Sequence, residues 1–313
     1  MGVFISIPEV RGVVKWVHHI AVSQCELERI CSDAQHSPGM TGDVARSIGL
    51  SRALPGDIVL IVIAHRVDWE PDLVCDRIVA SKKIGTDQVL VRANLRLCLR
   101  ALLAAHQAME RMMTLKGQVF DEQDPTHVVL LGRLWSNMFP GRKRTSSAII
   151  SPDWTELGFQ CNNPVSDFRG GGMLGLHQLV AFAELFPGEA RQLLTESVNP
   201  KRYFPFAATG INFTAFVCEL MSERRLTVIL FQSQQLSGMD MEMSTEERGI
   251  KAVAEVYGQQ YLCFRDEWVR RNPSMGVMAF PGIFKDMKEQ ARTRFPPLIP
   301  LGKRFAGNQT IPL

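Results

Sequence analysis

The chain has 313 residues, 46% hydrophobic and 21% charged, enough apolar material for a large buried core and too much for wholesale disorder. Its net charge of +3 is too small to mark a nucleic-acid-binding surface, so no nucleic-acid partner is expected. Seven scattered cysteines (25, 31, 75, 98, 161, 218 and 263) form no CxxC pair; the odd number and the lack of a secretory signal point to free thiols in a reducing, cytoplasmic setting.

Met1-Gly2-Val3-Phe4-Ile5-Ser6 fits the M-G-x-x-x-[ST] pattern, which makes Gly2 either a myristoylation candidate or an unmodified second residue. The apolar stretch behind it (Phe4, Ile5, Val10, Val13, Val14, Trp16, Val17, Ile20) suits docking on the domain or peripheral contact with an organelle membrane. Residues 10–31 read as a helix that ends in the charged segment CELERIC, with Glu26 and Glu28 on its outer side. Residues 32–57, punctuated by Ser-Pro-Gly and Pro-Gly, read as loop with one short helix. The apolar run 58–64 is far shorter than the ~20 residues needed to span a bilayer, and reads as a buried strand or core segment. Residues 71–83 form a helix with proline in its first turn. The longest helix covers 87–115, with Gly117 as its C-cap and Arg92, Arg96 and Arg100 as a solvated stripe.

From Thr126 the amphipathic run HVVLLGRLWSNMFP predicts a helix stopped by Pro140, followed by a basic loop at 141–144. Ser151-Pro152-Asp153 reads as an N-cap with proline at the first helical position. Gly170, Gly171 and Gly172 then lead into a helix that runs to Phe186 and ends at Pro187-Gly188. Further helices are predicted over 189–198, 205–221 and 246–271, and from Met275 or Pro281 to Arg292. The stretch 237–245 reads as a mobile connection and the proline-rich tail from 296 as extended. The fold class is therefore all-α, with an N-terminal helical region (1–120), a main domain (121–295) and a tail (296–313).

Between these helices lies the segment WTELGFQCNNPVSDFRGGGMLGL at 154–176. It carries Trp154, Leu157, Gly158, Phe159, Gln160, Asn163, Pro164, Asp167, Phe168, Arg169, Gly170, Gly172, Leu174, Gly175 and Leu176 at the spacing W-x2-[IVL]-G-F-Q-x2-[DN]-P-x2-D-F-R-G-x-G-x-L-G-L. That pattern resembles the signature of the ELMO domain, in the form carried by the ELMO-domain GTPase-activating proteins of Arf-family GTPases. CELERIC, Asp124-Pro125-x-His127 with Trp135 and Pro140, and Phe204-Pro205-Phe206-Ala207 with Gly210-Ile211-Asn212-x-Thr214 resemble further motifs of the same proteins. Residues 32–87 match none.

The resemblance implies a role in membrane trafficking, as an activator of an Arf or Arf-like GTPase. Arg169 would be the finger inserted in trans, against GTP and Mg²⁺ that the partner holds. A planar, always-charged guanidinium suits that task, because hydrolysis is limited by charge developing on the phosphate oxygens. The competing reading has Arg169 merely pairing with Asp167 or Glu156 to hold the turn. Asp167 would fix the turn or orient Arg169, and Gln160 would either position water or serve as a buried amide bonded to backbone. Trp154, Phe159 and Phe168 read as core, and Gly170 and Gly172 as demands of the turn. His177, farther along the next helix, reads as a surface or core histidine and not a catalytic base. The chain lacks G-x-x-x-x-G-K-[ST], HExxH, GxSxG and paired-cysteine zinc spacing, so no nucleotide, metal or cofactor of its own is expected. The alternative function is a non-catalytic scaffold that binds a GTPase or an exchange factor.

Overall fold

In the computed structural model, which describes residues 24–64, 66–234 and 243–298, the regular elements are helical and no strand occurs among the described residues. The all-α expectation holds. The described residues fall into two units, one of 24–64, 66–107, 231–234 and Leu298, the other of 108–230 and 243–297.

In the first unit, α1 (Glu26–Cys31) opens with a capping box: the Cys25 thiol accepts from the Glu28 amide at 3.5 Å and the Glu28 carboxylate accepts from the Cys25 amide at 2.5 Å. Glu26 accepts from the Ser47 hydroxyl at 2.8 Å. The two glutamates expected on an outer face are thus employed in holding the helix. Ser-Pro-Gly opens α2 (Pro38–Gly49) and does not interrupt the chain: Ser37 Oγ accepts from the Met40 amide at 3.1 Å, and Pro38 takes the first turn, where its missing N–H costs nothing. The apolar run expected as strand or core is helical core, α3 (Gly56–Ile63), with Ile58, Val59 and Val62 buried. Its β-branched residues favour a strand by propensity, but the described residues offer no strand to pair with and burial decides. Then come α4 (Pro71–Lys82), closed by Lys83 at φ 56°, and the 29-residue α5 (Val89–Gly117), whose last residue is the glycine expected just beyond it. The arginine stripe of α5 is a docking face for α4: Arg96 and Arg100 reach Asp72 at 3.2 and 3.0 Å, and Arg92 and Arg96 reach Asp76 at 3.4 and 3.3 Å. Such exposed pairs contribute at most about 1 kcal/mol each.

The second unit is built around α8 (Gly172–Leu185). It packs against α6 (Pro125–Met138), α9 (Pro187–Ser197), α10 (Phe206–Ser222), α12 (Thr245–Arg271) and the 3₁₀ turn at Pro164–Gly170. Phe182, Phe206, Phe213, Tyr257, Tyr261 and Phe264 fill the space between α8, α10 and α12, with Tyr261 donating to the Phe206 carbonyl at 2.5 Å. Pro187-Gly188 opens α9 directly after α8 instead of separating them. The single turn α7 (Asp153–Glu156) precedes the 3₁₀ turn, and α13 (Phe280–Arg294) follows a short 3₁₀ stretch at Gly276–Ala279 and packs on α12. Helix α11 (Thr227–Gln232) was not anticipated, since TVILFQ is short and β-branched at its start. The capping box of Ser244 and Glu247 starts α12, so Ser244 and Thr245, predicted as the end of the mobile connection 237–245, are the helix start; residues 237–242 of that connection and 299–313 of the tail lie outside the described residues.

Candidate functional site

The signature segment starts on a scaffold made by the basic loop before it. Arg144 lies over the Trp154 ring at 4.5 Å and donates to the carbonyls of Ser147 and Ala148. Arg142 covers the Trp135 and Phe139 rings and pairs with Glu156 at 2.6 Å. Trp154 is buried, and its indole N–H donates to the Ile149 carbonyl at 2.7 Å. Two of the basic side chains after Pro140 therefore cover core aromatics, and Glu156 is committed to Arg142.

After Leu157 the chain reverses at Gly158, whose φ is +73°. A Cβ here would lie 2.3 Å from the Phe206 amide nitrogen, so glycine is demanded both by the backbone and by the close passage of α10. The carbonyls of Leu157 and Gly158 accept from the amides of Ala207 and Ala208 at 2.9 and 3.2 Å. These amides belong to the first turn of α10, which has no internal partners for them. Leu157-Gly158 and Phe206-Ala207, far apart in sequence, form one joint. Beyond it, Phe159 meets Trp154 edge-on at 6.0 Å and Phe168 at 5.7 Å, which ties the start of the segment to the 3₁₀ turn.

Asn163 caps that turn by accepting from the Val165 amide at 3.1 Å. Asp167 draws the preceding strand of chain back onto it: its carboxylate accepts from the Gln160 amide at 2.8 Å and the Ser166 hydroxyl at 3.3 Å. Burial raises the Asp167 carboxyl above the usual range, opposed by those hydrogen bonds and by the Arg169 charge. Phe168 turns inward at 2% exposure and Arg169 turns outward. The Arg169 Nε donates to the Ser166 carbonyl at 2.9 Å, and no carboxylate within ion-pair distance engages its guanidinium among the described residues. The pairing of Arg169 with Asp167 or Glu156, one of the two sequence readings, is not formed. Gln160 is exposed and among the described residues only its backbone is bonded, so the buried-amide reading of that side chain falls.

The three glycines differ. Gly172 has φ +55°, and a Cβ there would sit 2.1 Å from the Lys116 carbonyl oxygen, because the end of α5 runs against the start of α8. A Cβ at Gly171 would lie 3.4 Å from Ile211 and Thr214 of α10, at the edge of ordinary contact. At Gly170 an added Cβ would meet nothing within 4 Å, so the turn does not require glycine there, contrary to expectation.

Sequence reasoning missed one member of the site, the stretch 118–122 after α5. Its Gln118 carbonyl accepts from the Met173 amide at 2.9 Å, and its Phe120 ring stacks on Phe168 at 6.0 Å. His127, buried on α6, fastens it from behind by accepting from the Asp121 amide at 2.9 Å through Nδ1 and meeting the Gln118 amide group at 3.0 Å through Nε2. The Asp124-Pro125-x-His127 spacing was visible, but not that its histidine holds a loop. His177, half-buried on α8, has its imidazole held below 6.5 by burial, then by the charges of Arg111, His127 and Arg133. Gly2 and the apolar stretch to Ile20 lie outside the described residues. Among the described residues no cluster could hold a metal ion and no helix is long and apolar enough to cross a membrane.

Comparison with known proteins places the site in a family context. The ELMO/CED-12 family pattern matches residues 110–284. The chain is 31% identical over 219 residues to ELMO domain-containing protein 2 of Homo sapiens, covering 70% of this chain and 72% of that protein. It is 30% identical over 284 residues to ELMO domain-containing protein B of Dictyostelium discoideum (88% and 92% covered), and 28% identical over 229 residues to ELMO domain-containing protein 1 of Bos taurus (66% and 68%). No solved structure gives a significant match.

Proposed function

This chain belongs to the ELMO/CED-12 family, and on that premise we propose that it activates GTP hydrolysis by a small GTPase of the Arf/Arf-like family, lending Arg169 in trans. The observation that carries this reading is the state of Arg169. It is exposed, makes no ion pair among the described residues, and is bonded only through Nε, which leaves the outer edge of its guanidinium open. A side chain that merely held the turn would be expected to spend its charge within the turn, as Arg142 does on Glu156.

The mechanism follows from the bracing. The partner holds GTP and Mg²⁺, and this chain supplies one cation. Phe168, held edge-on by Phe159 and stacked on Phe120, fixes the backbone beneath Arg169, so little ordering is left for the moment of contact. Two free guanidinium nitrogens can bond two phosphate oxygens as negative charge develops on them, worth roughly 10³–10⁵ in rate. Asp167 positions the turn, Gly170 leaves the flank of the finger bare so that a partner can close on it, and exposed Gln160 stands on the same rim. The activity would be exercised in the cytoplasm.

The test is a panel of Arf and Arf-like GTPases loaded with GTP, assayed for single-turnover hydrolysis with the wild type and with Arg169→Lys. The wild type should accelerate at least one member, and the lysine variant, which keeps the charge and loses the fork, should lose most of that acceleration with an unchanged melting temperature. A wild type that binds a GTPase without accelerating it would support the scaffold reading instead.

A further inference from the structure

We infer that the 118–122 loop is a second docking element for the same GTPase, with Val119 as its apolar anchor; this rests on the finger reading of Arg169. Phe120 and Phe168 are buried and stack nearly parallel, at an interplanar angle of 17°. Val119 and Arg169 are the solvent-facing neighbours of those two rings, and Val119 is 77% exposed. The loop is not a loose end that happens to expose a valine. It is pinned at the Gln118 carbonyl by Met173, at the Asp121 amide by His127, and at Phe120 by the ring stack, and its Val119 crest is left bare.

The crest lies close to the turn that presents Arg169, within the span of an ordinary interface. A typical specific interface buries about 800 Å² on each partner, a disc roughly 16 Å in radius. Val119 is one residue, about 3.8 Å of backbone, from Gln118, which bonds the first turn of α8, and one residue from Phe120, which touches the finger's own turn. On this reading a protein whose nucleotide pocket receives Arg169 also covers Val119, the exposed neighbour of the ring that touches the finger's turn. The partner surface that fits is apolar and borders that pocket, because an exposed valine offers no hydrogen bond and gains only by leaving water. Uncharged Val119 contributes equally before and during bond cleavage, so it sets how much of this protein is needed and not the rate at saturation.

The experiment titrates wild type, Val119→Asp, Val119→Ile and Arg169→Lys against a GTPase that the wild type accelerates, after thermal melts confirm that each variant folds. Val119→Asp should raise the half-saturating concentration about tenfold or more with the maximal rate unchanged, and Val119→Ile should titrate like the wild type. Arg169→Lys should do the reverse, lowering the maximal rate with little change in half-saturation. An unchanged half-saturation in Val119→Asp, or a loss confined to its maximal rate, overturns the docking role while leaving the finger intact. A wild type that accelerates no GTPase overturns the finger reading and this inference with it.

Discussion

Within residues 154–176, the inward positions and the outward ones follow different rules. Trp154, Leu157, Phe159, Phe168, Leu174 and Leu176 are buried, and Gly158 and Gly172 are fixed by backbone that passes within 2.3 and 2.1 Å of where a Cβ would stand. Each of these residues has a complete explanation inside the molecule. Gln160, Arg169 and Gly170 do not: they are exposed, and neither steric need nor side-chain pairing accounts for their identity. The inward set shows how the chain builds a rigid platform, and the outward set is the part of the segment left to solvent.

The comparison breaks first, and hardest, at Arg169. Arg169→Ala should reduce GTPase stimulation by on the order of 10³ or more, with a melting temperature like that of the wild type. Loss of folding in that variant would move Arg169 into the structural set. Next come the paired glycines. Gly172→Ala places a methyl group against the Lys116 carbonyl at positive φ and should cost on the order of 3–5 kcal/mol in denaturant melts, whereas Gly170→Ala should stay within about 0.5 kcal/mol. Equal losses in the two would erase the distinction. Asp167→Ala should cost about 1 kcal/mol, because the Gln160 amide it frees is near water, and should lower stimulation roughly tenfold by loosening the finger's base. The smallest effect belongs to His177. Its imidazole takes up a proton in the unfolded chain near 6.5 but in the folded chain only at lower pH, so stability should decline as pH falls through 6.5. His177→Gln should flatten that decline when melts at about pH 7.5 and about pH 5.5 are compared.

The same division decides what could be read in advance. Helix α4 was legible to its first residue because Pro71 marks its start, whereas α6 and α12 were read from their apolar runs one residue late, their caps Asp124 and Ser244 going unread. The segment 58–63 and α11 were not, since both carry β-branched runs whose conformation is set by burial and by neighbours remote in sequence. Arg169 could be singled out from the motif, yet whether its charge was spent internally depended on Arg142 capturing Glu156 and on Asp167 serving Gln160. No spacing rule would show that Gly170 is free and Gly172 is not, because the obstruction comes from Lys116, more than fifty residues upstream. The loop-holding role of His127 and the exposure of Val119 were invisible for the same reason.

The joint at Gly158 has a consequence for how this protein assembles. Helix α10 has no side-chain cap of its own; the amides of Ala207 and Ala208 are met by carbonyls some fifty residues earlier. Closing that span costs chain entropy that local helix formation does not repay, so the first turn of α10 becomes stable only after the 154–158 turn has arrived. The two pieces should then open and close as one cooperative unit. In native-state hydrogen exchange, the Ala207 and Ala208 amides should exchange at the pace of the Leu157 region, and a fragment ending near residue 200 should leave the finger's platform molten.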